Sequence, residues 1–518
     1  MKKRFKYGFA LSALSLLALS SCSQPKSPIA DLEAMDADVL AAIEEKIAIV
    51  NAEEVYGNLY LPEEVDGYQI IWKSNKSNIV NPDYDGDCAP GMVYRPSQDT
   101  DVELTAYVID EENGKGGRID QTVTVKGLPY TLEDEDYEAY LFAHFIGESY
   151  GEGPQNMSGH PTGEQIFFAL ADVGEGLHFK DMNGSTMNNL KPVLKSEVGE
   201  LGVRDPFMLR SPDGDTFYLI ATDLSVYTRG GWGNNAGQAT KTGSHSIILW
   251  ESHDLVEWTE GRQIEVARPD AGMAWAPEMI YCEETGEYLI FFSSTIIDDV
   301  SKGTSANILW RDCVYFTSTR DFVHFGETKR FIPGTDYQPE VTSRNESESK
   351  AENNDQRKVI DGSVIKIDDY YYSACKDGGN NEDGGGIRIQ KTQDLYDGEW
   401  EFVQNLADVG FKAQGRNADN KCLEGPEWFI YNVADRQDPD VPEIGLMADF
   451  YANTSVGYIP WATTDIEDIN NEHGSWRILE SGADKDFSWD SQTKRHGTIL
   501  RITADEAELL KENFPIAE

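Results

Sequence analysis

The sequence is short of positive charge, of cysteine and of long apolar runs, and each shortage excludes a class of function. Its 518 residues carry 44 Lys and Arg against 91 Asp and Glu, a formal charge of −47. A surface of that sign repels phosphate backbones and acidic polymers, so nucleic acid is excluded as a partner and neutral ligands are favoured. Past position 22 the cysteines are Cys88, Cys282, Cys313, Cys375 and Cys422, scattered and without a Cys-x-x-Cys pair. That spacing supports neither a disulfide scaffold nor a thiolate zinc site. No segment reaches the roughly 18 consecutive apolar residues that a membrane-spanning helix needs. What the chain has in quantity is 11 Trp, 24 Tyr, 21 Phe and 46 Gly, a mixture suited to many short strands joined by tight turns. At roughly 150 residues per domain the length predicts two to four units, fewer if one is a large all-β unit.

The N-terminus reads as an address. Met1–Tyr7 is basic and Phe9–Leu19 is apolar, the pattern of a signal-peptide core too short to span a bilayer. Leu19-Ser20-Ser21-Cys22 resembles a bacterial lipobox. The resemblance implies that residues 1–21 are removed, that Cys22 is lipidated, and that the chain is tethered to a bacterial membrane, the outer membrane (periplasmic face or cell surface) being the expected one. A polar tether follows, then a helical pattern over Asp31–Ile49. From Gly57 to Gly127 short alternating runs take over, at Asn58–Leu61, Tyr68–Trp72, Val102–Val108 and Gln121–Val125, with Asp85-Gly86 and Asn113-Gly114 as turns. Residues 31–128 thus read as a small antiparallel sandwich. The Ile-Ile-Trp-Lys-Ser-Asn stretch and the closing Val-Thr-Val strand resemble a bacterial immunoglobulin-like module, which implies a spacer in preference to a sugar-binding accessory.

The remainder repeats. A phrase of the form Ser/Thr-x-Asp-apolar-x-x-aromatic is clearest at Ser252–Trp258 and Thr319–Phe325, looser at Thr392–Trp400 and Thr463–Trp476, and degenerate up to Phe179. The terminal aromatics at 179, 258, 325, 400 and 476 are 79, 67, 75 and 76 residues apart. A hydrophobic strand precedes each copy and no long helical period intervenes. A unit of about 70 residues with four strands describes a propeller blade, and one such sheet buries too little surface to stand alone. The fold class is therefore all-β: a five-bladed β-propeller over 137–504, preceded by the small immunoglobulin-like sandwich.

The innermost strand of each blade lines a propeller's axis, so acids leading into those strands converge although distant in sequence. Asp205 in Val-Arg-Asp-Pro-Phe, Asp361 in Val-Ile-Asp-Gly-Ser and Glu424 in Leu-Glu-Gly-Pro-Glu each follow closely on apolar residues, and burying a charge is costly unless it is paired or used. The Arg-Asp-Pro, Ile-Asp-Gly and Glu-Gly-Pro phrases, in that order and in separate blades, resemble glycoside hydrolase family 43. Trp275-Ala276-Pro277-Glu278 and Arg495-His496-Gly497 extend the match. The resemblance implies an inverting exo-glycosidase acting on arabinose- or xylose-containing plant polysaccharides, with Asp205 as general base, Asp361 as modulator and Glu424 as general acid. It further implies that His496 helps to hold a hydrated calcium or a water near the axis, with no other cofactor, and that the protein works as a monomer on a neutral glycan. Trp275, Glu278 and Arg495 are the expected substrate-binding residues. The family usually has Asp where Glu278 stands, which is read as a variation in the site wall.

The chemistry requires these residue types. Inversion needs one carboxylate to activate water and one carboxylic acid, about 6.5–9.5 Å away, to protonate the departing oxygen. A third carboxylate nearby is expected to lift the acid's pKa. Two rivals stand beside this reading. A retaining fructan hydrolase on the same propeller lacks support, because no Asn-Asp-Pro-Asn phrase occurs near the first blade. A non-catalytic glycan-binding lipoprotein would not need all three acids. Thr335–Lys358 reads as a polar loop, and the glycine-rich stretch 378–386 lacks the Lys-Ser/Thr ending of a phosphate loop.

Overall fold

The computed structural model describes residues 27–148, 162–232, 238–332, 359–377, 386–396, 400–407, 422–450, 457–468, 474–490 and 494–516. Cys22 with its leader, the polar stretch at 335–358 and nearly all of the glycine-rich stretch lie outside the described residues.

The first unit is built on a five-stranded sheet in the order Glu33–Ala34, Lys115–Val125, Thr100–Asp110, Tyr68–Ser74, Glu64–Val65, antiparallel except for the first pair. Alternation decides its buried face: Ile70 and Trp72 on one strand and Val102, Leu104, Ala106 and Val108 on the next point into one core, as a period of two demands. A two-stranded ribbon, Val80–Asn81 with Met92–Val93, and the helix Ala37–Lys46 pack onto the same core through Val80, Val93, Ile43 and Val39. The helix is shorter than the apolar pattern predicted. Asn58–Leu61, expected as a strand, joins no ladder; Leu59 and Leu61 are buried, and Leu59 N–H donates to the carbonyl of Gly91 instead.

The rest is five sheets in sequence. In blade II the order is Val203–Arg210, Phe217–Asp223, Ser246–Ser252, Arg262–Glu265; in blade III it is Trp275–Cys282, Glu287–Ile297, Ile308–Thr319, Lys329–Ile332. Blade IV runs Val359–Ile367, Tyr370–Asp377, Ile387–Thr392, Glu401–Asn405, and blade V Leu423–Ile430, Ile444–Phe450, Tyr458–Thr463, Arg477–Ile478. Blade I is composite: Tyr137–His144, Phe167–Asp172 and Leu177–Asp181 are completed at one edge by Phe487–Trp489 and at the other by Thr498–Thr503. The first strands of blades II to V and Thr498–Thr503 contact one another around a ring, which makes a closed five-bladed propeller. Each neighbouring pair of blades encloses its own apolar cluster. This explains the unbroken apolar runs. In Phe217–Asp223 the residues Phe217, Leu219 and Ala221 face blade I, while Tyr218 and Ile220 face blade III.

The repeated Ser/Thr-x-Asp phrase is a turn device. The Ser252 and Thr319 hydroxyls accept backbone N–H groups two and three residues on, and the Asp254 and Asp321 carboxylates do the same for the next pair. Thr392 with Asp394 and Thr463 with Asp465 repeat the arrangement. The aromatic that ends the phrase then bridges back, Trp258 to Ser252 and Phe325 to Thr319.

A second repeated device was not legible in the sequence. The first strands of blades II to V all break register at the same place: Arg204/Phe207, Trp275/Glu278, Ile360/Ser363 and Glu424/Glu427. At each bulge one residue has left-handed backbone, namely Asp205 (φ 50°), Ala276 (φ 45°), Asp361 (φ 53°) and Gly425 (φ 54°). Asp tolerates that region better than most residues. Three of the bulge N–H groups find a side-chain acceptor in the preceding blade: Ala276 on Thr222, Asp361 on Ser293 and Gly425 on the Asp361 carboxylate.

Ring closure rests on the pairing of Thr498–Thr503 with Tyr137–His144. A Cβ on Gly497 would stand 2.1 Å from the Ala143 carbonyl oxygen, a backbone atom that cannot step aside. Gly497→Ala is therefore expected to lower stability by about 1–3 kcal/mol, read as a fall in the thermal midpoint.

Candidate active site

The bulges aim side chains at the axis. Asp205 and Asp361 occupy equivalent left-handed positions in blades II and IV, and Glu424 sits one residue before the equivalent Gly425 in blade V. Two residues beyond each left-handed position lie Phe207, Glu278, Ser363 and Glu427. A bulge, by adding one residue to a strand, re-aims the side chains around it, and here it turns acids toward a shared centre. His496 enters from the segment leading into the closing strand. Its Nδ1 is 3.6 Å from Asp205 Oδ1 and its Nε2 is 3.9 Å from Glu278 Oε1. That segment is pinned by a wholly buried ion pair between Lys494 and Asp181. Gly425 leaves room for the imidazole: a Cβ there would lie 2.6 Å from His496 Cγ.

The electrostatics separate the acids. Burial alone would raise Asp205, but pairing with His496, the Arg204 charge and the Thr222 hydrogen bond (2.9 Å) overcome it and hold the carboxyl below its usual range. Arg204 is itself fixed by the buried Glu164, whose carboxylate also accepts from Ser225, Val226 and Tyr227. Asp361 goes the other way. Burial, reinforced by the charges of Glu424 and Asp205 against His496 and Lys376, pushes it up to about 6. Glu424 itself faces two cations, Lys376 Nζ at 2.5 Å and Arg495 Nη2 at 3.5 Å, and Arg495 is held in turn by Asp449.

Glu278 departs from its expected place in the site wall. It is 2% exposed, faces His496, and adjoins Glu427, also 2% exposed. Burial raises both carboxyls; the Glu278 charge then drives Glu427 well above the ordinary range, so Glu427 is the partner that keeps a proton. Burial opposes a charge on His496, yet Asp205 and Glu278 together lift it to about 10. With a carboxylate oxygen facing each ring nitrogen, the imidazolium is the favoured form. Among the described residues no three His, Cys, Asp or Glu are grouped to hold a metal ion.

Around this centre stands a wall of rings and cations. Trp275 meets Trp232 edge-on, centroids 6.0 Å apart at 78°. Arg204 lies over Trp232 and Phe145, and Arg495 over Phe145. Trp232 is 45% exposed, and Trp275 Nε1 is buried without a hydrogen-bond partner among the described residues. The sequence reading missed Lys376, Thr222, Glu427 and Trp232. A Lys closing the apolar strand Tyr370–Asp377 was a usable signal for the first; nothing in its local sequence marks Trp232.

Asp361 gives a pH test. Its folded-state value lies above the unfolded one, so between about pH 4 and 6 the folded state binds more protons and loses stability as pH rises. Relative to Asp361→Asn, the wild type is expected to lose thermal stability across that window and to run parallel outside it, as followed by unfolding midpoints in a pH series.

Residues 135–508 match the family model described as "Probable glycosyl hydrolase domain", a relative of family 43. An alpha-L-arabinofuranosidase of Bifidobacterium longum subsp. longum is 30% identical over 345 residues, covering 62% of this chain and 28% of that protein. The chain thus spans little more than a quarter of that relative's length. Among solved structures, an alpha-L-arabinofuranosidase from Lactobacillus brevis aligns at 16% identity over 62% of this chain and 84% of its own, with a TM-score of 0.37. An alpha-L-arabinanase of Penicillium chrysogenum complexed with arabinobiose aligns at 10% identity over 72% and 94%, also at 0.37. With well over half of its residues matched by the model, the chain belongs to the family-43-related glycosyl hydrolase domains.

Proposed function

We propose that this protein is an inverting exo-glycosidase that removes terminal α-L-arabinofuranosyl or β-xylosyl residues from neutral plant polysaccharides or their oligosaccharides. The observation that carries the reading is the unequal treatment of acids from separate blades around one imidazolium: Asp205 is held ionised, while Asp361 keeps a proton to about pH 6 beside Glu424. In this reading Asp205 is the general base. His496 and Thr222 fix its two oxygens, and it takes the proton of a water attacking the anomeric carbon. Glu424 is the general acid and protonates the departing oxygen, while Asp361, bonded to Gly425 N–H, governs the charge beside it. Lys376 and Arg495 orient the Glu424 carboxyl between turnovers. The Bifidobacterium relative, an alpha-L-arabinofuranosidase, favours the arabinofuranoside over the xyloside.

The same proposal includes the flanking parts. Cys22 is the lipidated first residue after cleavage of the leader 1–21, tethering a monomer to the outer membrane. The small β-domain is an immunoglobulin-like spacer between tether and propeller.

Glu424→Gln is expected to lower kcat on substrates with poor leaving groups by about 10²–10⁴-fold and to affect activated aryl glycosides far less. Undiminished hydrolysis of an arabino-oligosaccharide would remove Glu424 from the acid role. For the wild type, proton NMR should detect the inverted anomer first. Trp275 and Trp232 are proposed as the stacking wall for the sugar. Aromatic packing is worth about 0.5–1.5 kcal/mol, so Trp232→Ala should raise KM about two- to twelvefold with kcat nearly unchanged.

A further inference from the structure

A second cleft lies where the small domain meets the propeller. It encloses about 810 Å³ between residues 48–60 of the first unit and the outer turns of blades II and III, including Thr216, Glu251–Thr259 in part, and Phe322. Its place separates it from the axial site. Thr222, which binds Asp205, lies near the end of the strand Phe217–Asp223, and Thr216, which lines the cleft, immediately precedes its start. Six residues of extended chain separate them by about 20 Å. The cleft therefore opens toward the opposite face of the propeller and is not an extension of the axial pocket.

The walls are fixed. Arg95, with its side chain buried, holds Asp215 through two hydrogen bonds of 2.7 Å across the seam. Arg320 donates to the carbonyls of Ala89 and Pro90 in the first unit, and Asn58 to Tyr281 and Gly286 in blade III. Two tyrosines of the first unit are each backed by a propeller histidine: Tyr56 stacks on His253 with centroids 4.0 Å apart, and Tyr60 on His324 at 4.2 Å. Tyr60 remains 41% exposed. These are rings held in place on a surface that loses little entropy when a ligand binds.

The chemistry of the lining selects the ligand. Glu53, Glu54 and Glu257 line the cleft and are exposed, and their carboxylates have no hydrogen-bond or ion-pair partner among the described residues. The one guanidinium in the lining, Arg320, is engaged by backbone carbonyls. Free acceptors beside fixed aromatic rings repel anions and suit a ligand that brings many hydroxyl donors and flat C–H faces, and those are the features of a neutral oligosaccharide. We propose that this seam is a non-catalytic binding site for a neutral glycan chain, in which Tyr60 and Tyr56 pack against sugar rings and Glu53, Glu54 and Glu257 accept hydroxyl hydrogen bonds. The choice of glycan rests on the proposed function, since the polymer being trimmed is the neutral chain this enzyme meets. Binding there holds a polymer to the molecule while its ends are cleaved at the axis.

The test is affinity electrophoresis of the whole chain in gels containing soluble arabinan, arabinoxylan or arabinogalactan. Retarded migration with at least one of them is expected. The Asp205→Asn variant should keep that retardation, whereas Tyr60→Ala and, independently, Glu257→Ala should weaken binding about threefold or more. Both substituted residues are exposed, and thermal midpoints check that each variant folds. Tyr60→Ala should also raise KM on the retaining polymer while leaving kcat/KM on a nitrophenyl arabinofuranoside unchanged. No retardation by any of the three, retardation untouched by both seam substitutions, or binding of oligolysine in place of the glycans would each overturn the site. If the chain binds glycan through the seam but hydrolyses no pentoside, the hydrolytic reading fails and the seam stands. If it hydrolyses pentosides without seam-dependent binding, the reverse holds.

Discussion

The constraint on which the centre of this molecule depends is the burial of like charges. Asp205, Glu278, Asp361 and Glu427 come from the first strands of four different blades and converge on the axis, where Glu278 and Glu427 are almost wholly buried. Left alone, such a cluster would force the blades apart or take up protons on every member. One imidazolium resolves it. His496 faces Asp205 with one nitrogen and Glu278 with the other, and Glu427 keeps a proton that relieves the remaining pair. Because the histidine arrives on the segment before the closing strand, the countercharge and the last β-pairing of the ring are delivered together.

Strain and chemistry coincide in the same four places. Each bulge holds a residue in left-handed backbone, a conformation that costs roughly 1–2 kcal/mol outside glycine, and two of those residues are the acids themselves. At three of the four bulges the preceding blade supplies a hydrogen-bond acceptor for the strained N–H, and in blade V that acceptor is Asp361. Asp361 thereby fixes the backbone beside Glu424. Thr222 couples the next pair of blades in the same way, accepting from Ala276 and donating to Asp205.

Much of this was legible in the sequence. The spacing of the terminal aromatics revealed five units because the Ser/Thr-x-Asp turn closes by local hydrogen bonds, and local chemistry leaves a local signature. The buried strands were readable as continuous apolar runs because a blade is covered on both faces. What stayed hidden depends on partners far along the chain. Glu278 looked like a wall residue because its phrase says nothing of His496, 218 positions away. The composite first blade was missed because Thr498–Thr503 reads as one more strand until its pairing with Tyr137–His144 is known. The C-terminal helix Ala504–Asn513 was available and overlooked: Thr503 and Glu506 form a reciprocal capping box, a signal written in four consecutive residues.

The composite blade has a consequence for how the molecule is born. A ribosome releases Tyr137–His144 long before the strand that must lie beside it, so the first sheet waits with an open edge while four others assemble. Unpaired edges invite intermolecular pairing, and contacts so distant along the chain form slowly. The nascent protein thus has a window of vulnerability that ends only when its final strand docks, and that docking also delivers the histidine to the axis. Catalytic competence should therefore emerge in one step with resistance to aggregation, rather than blade by blade.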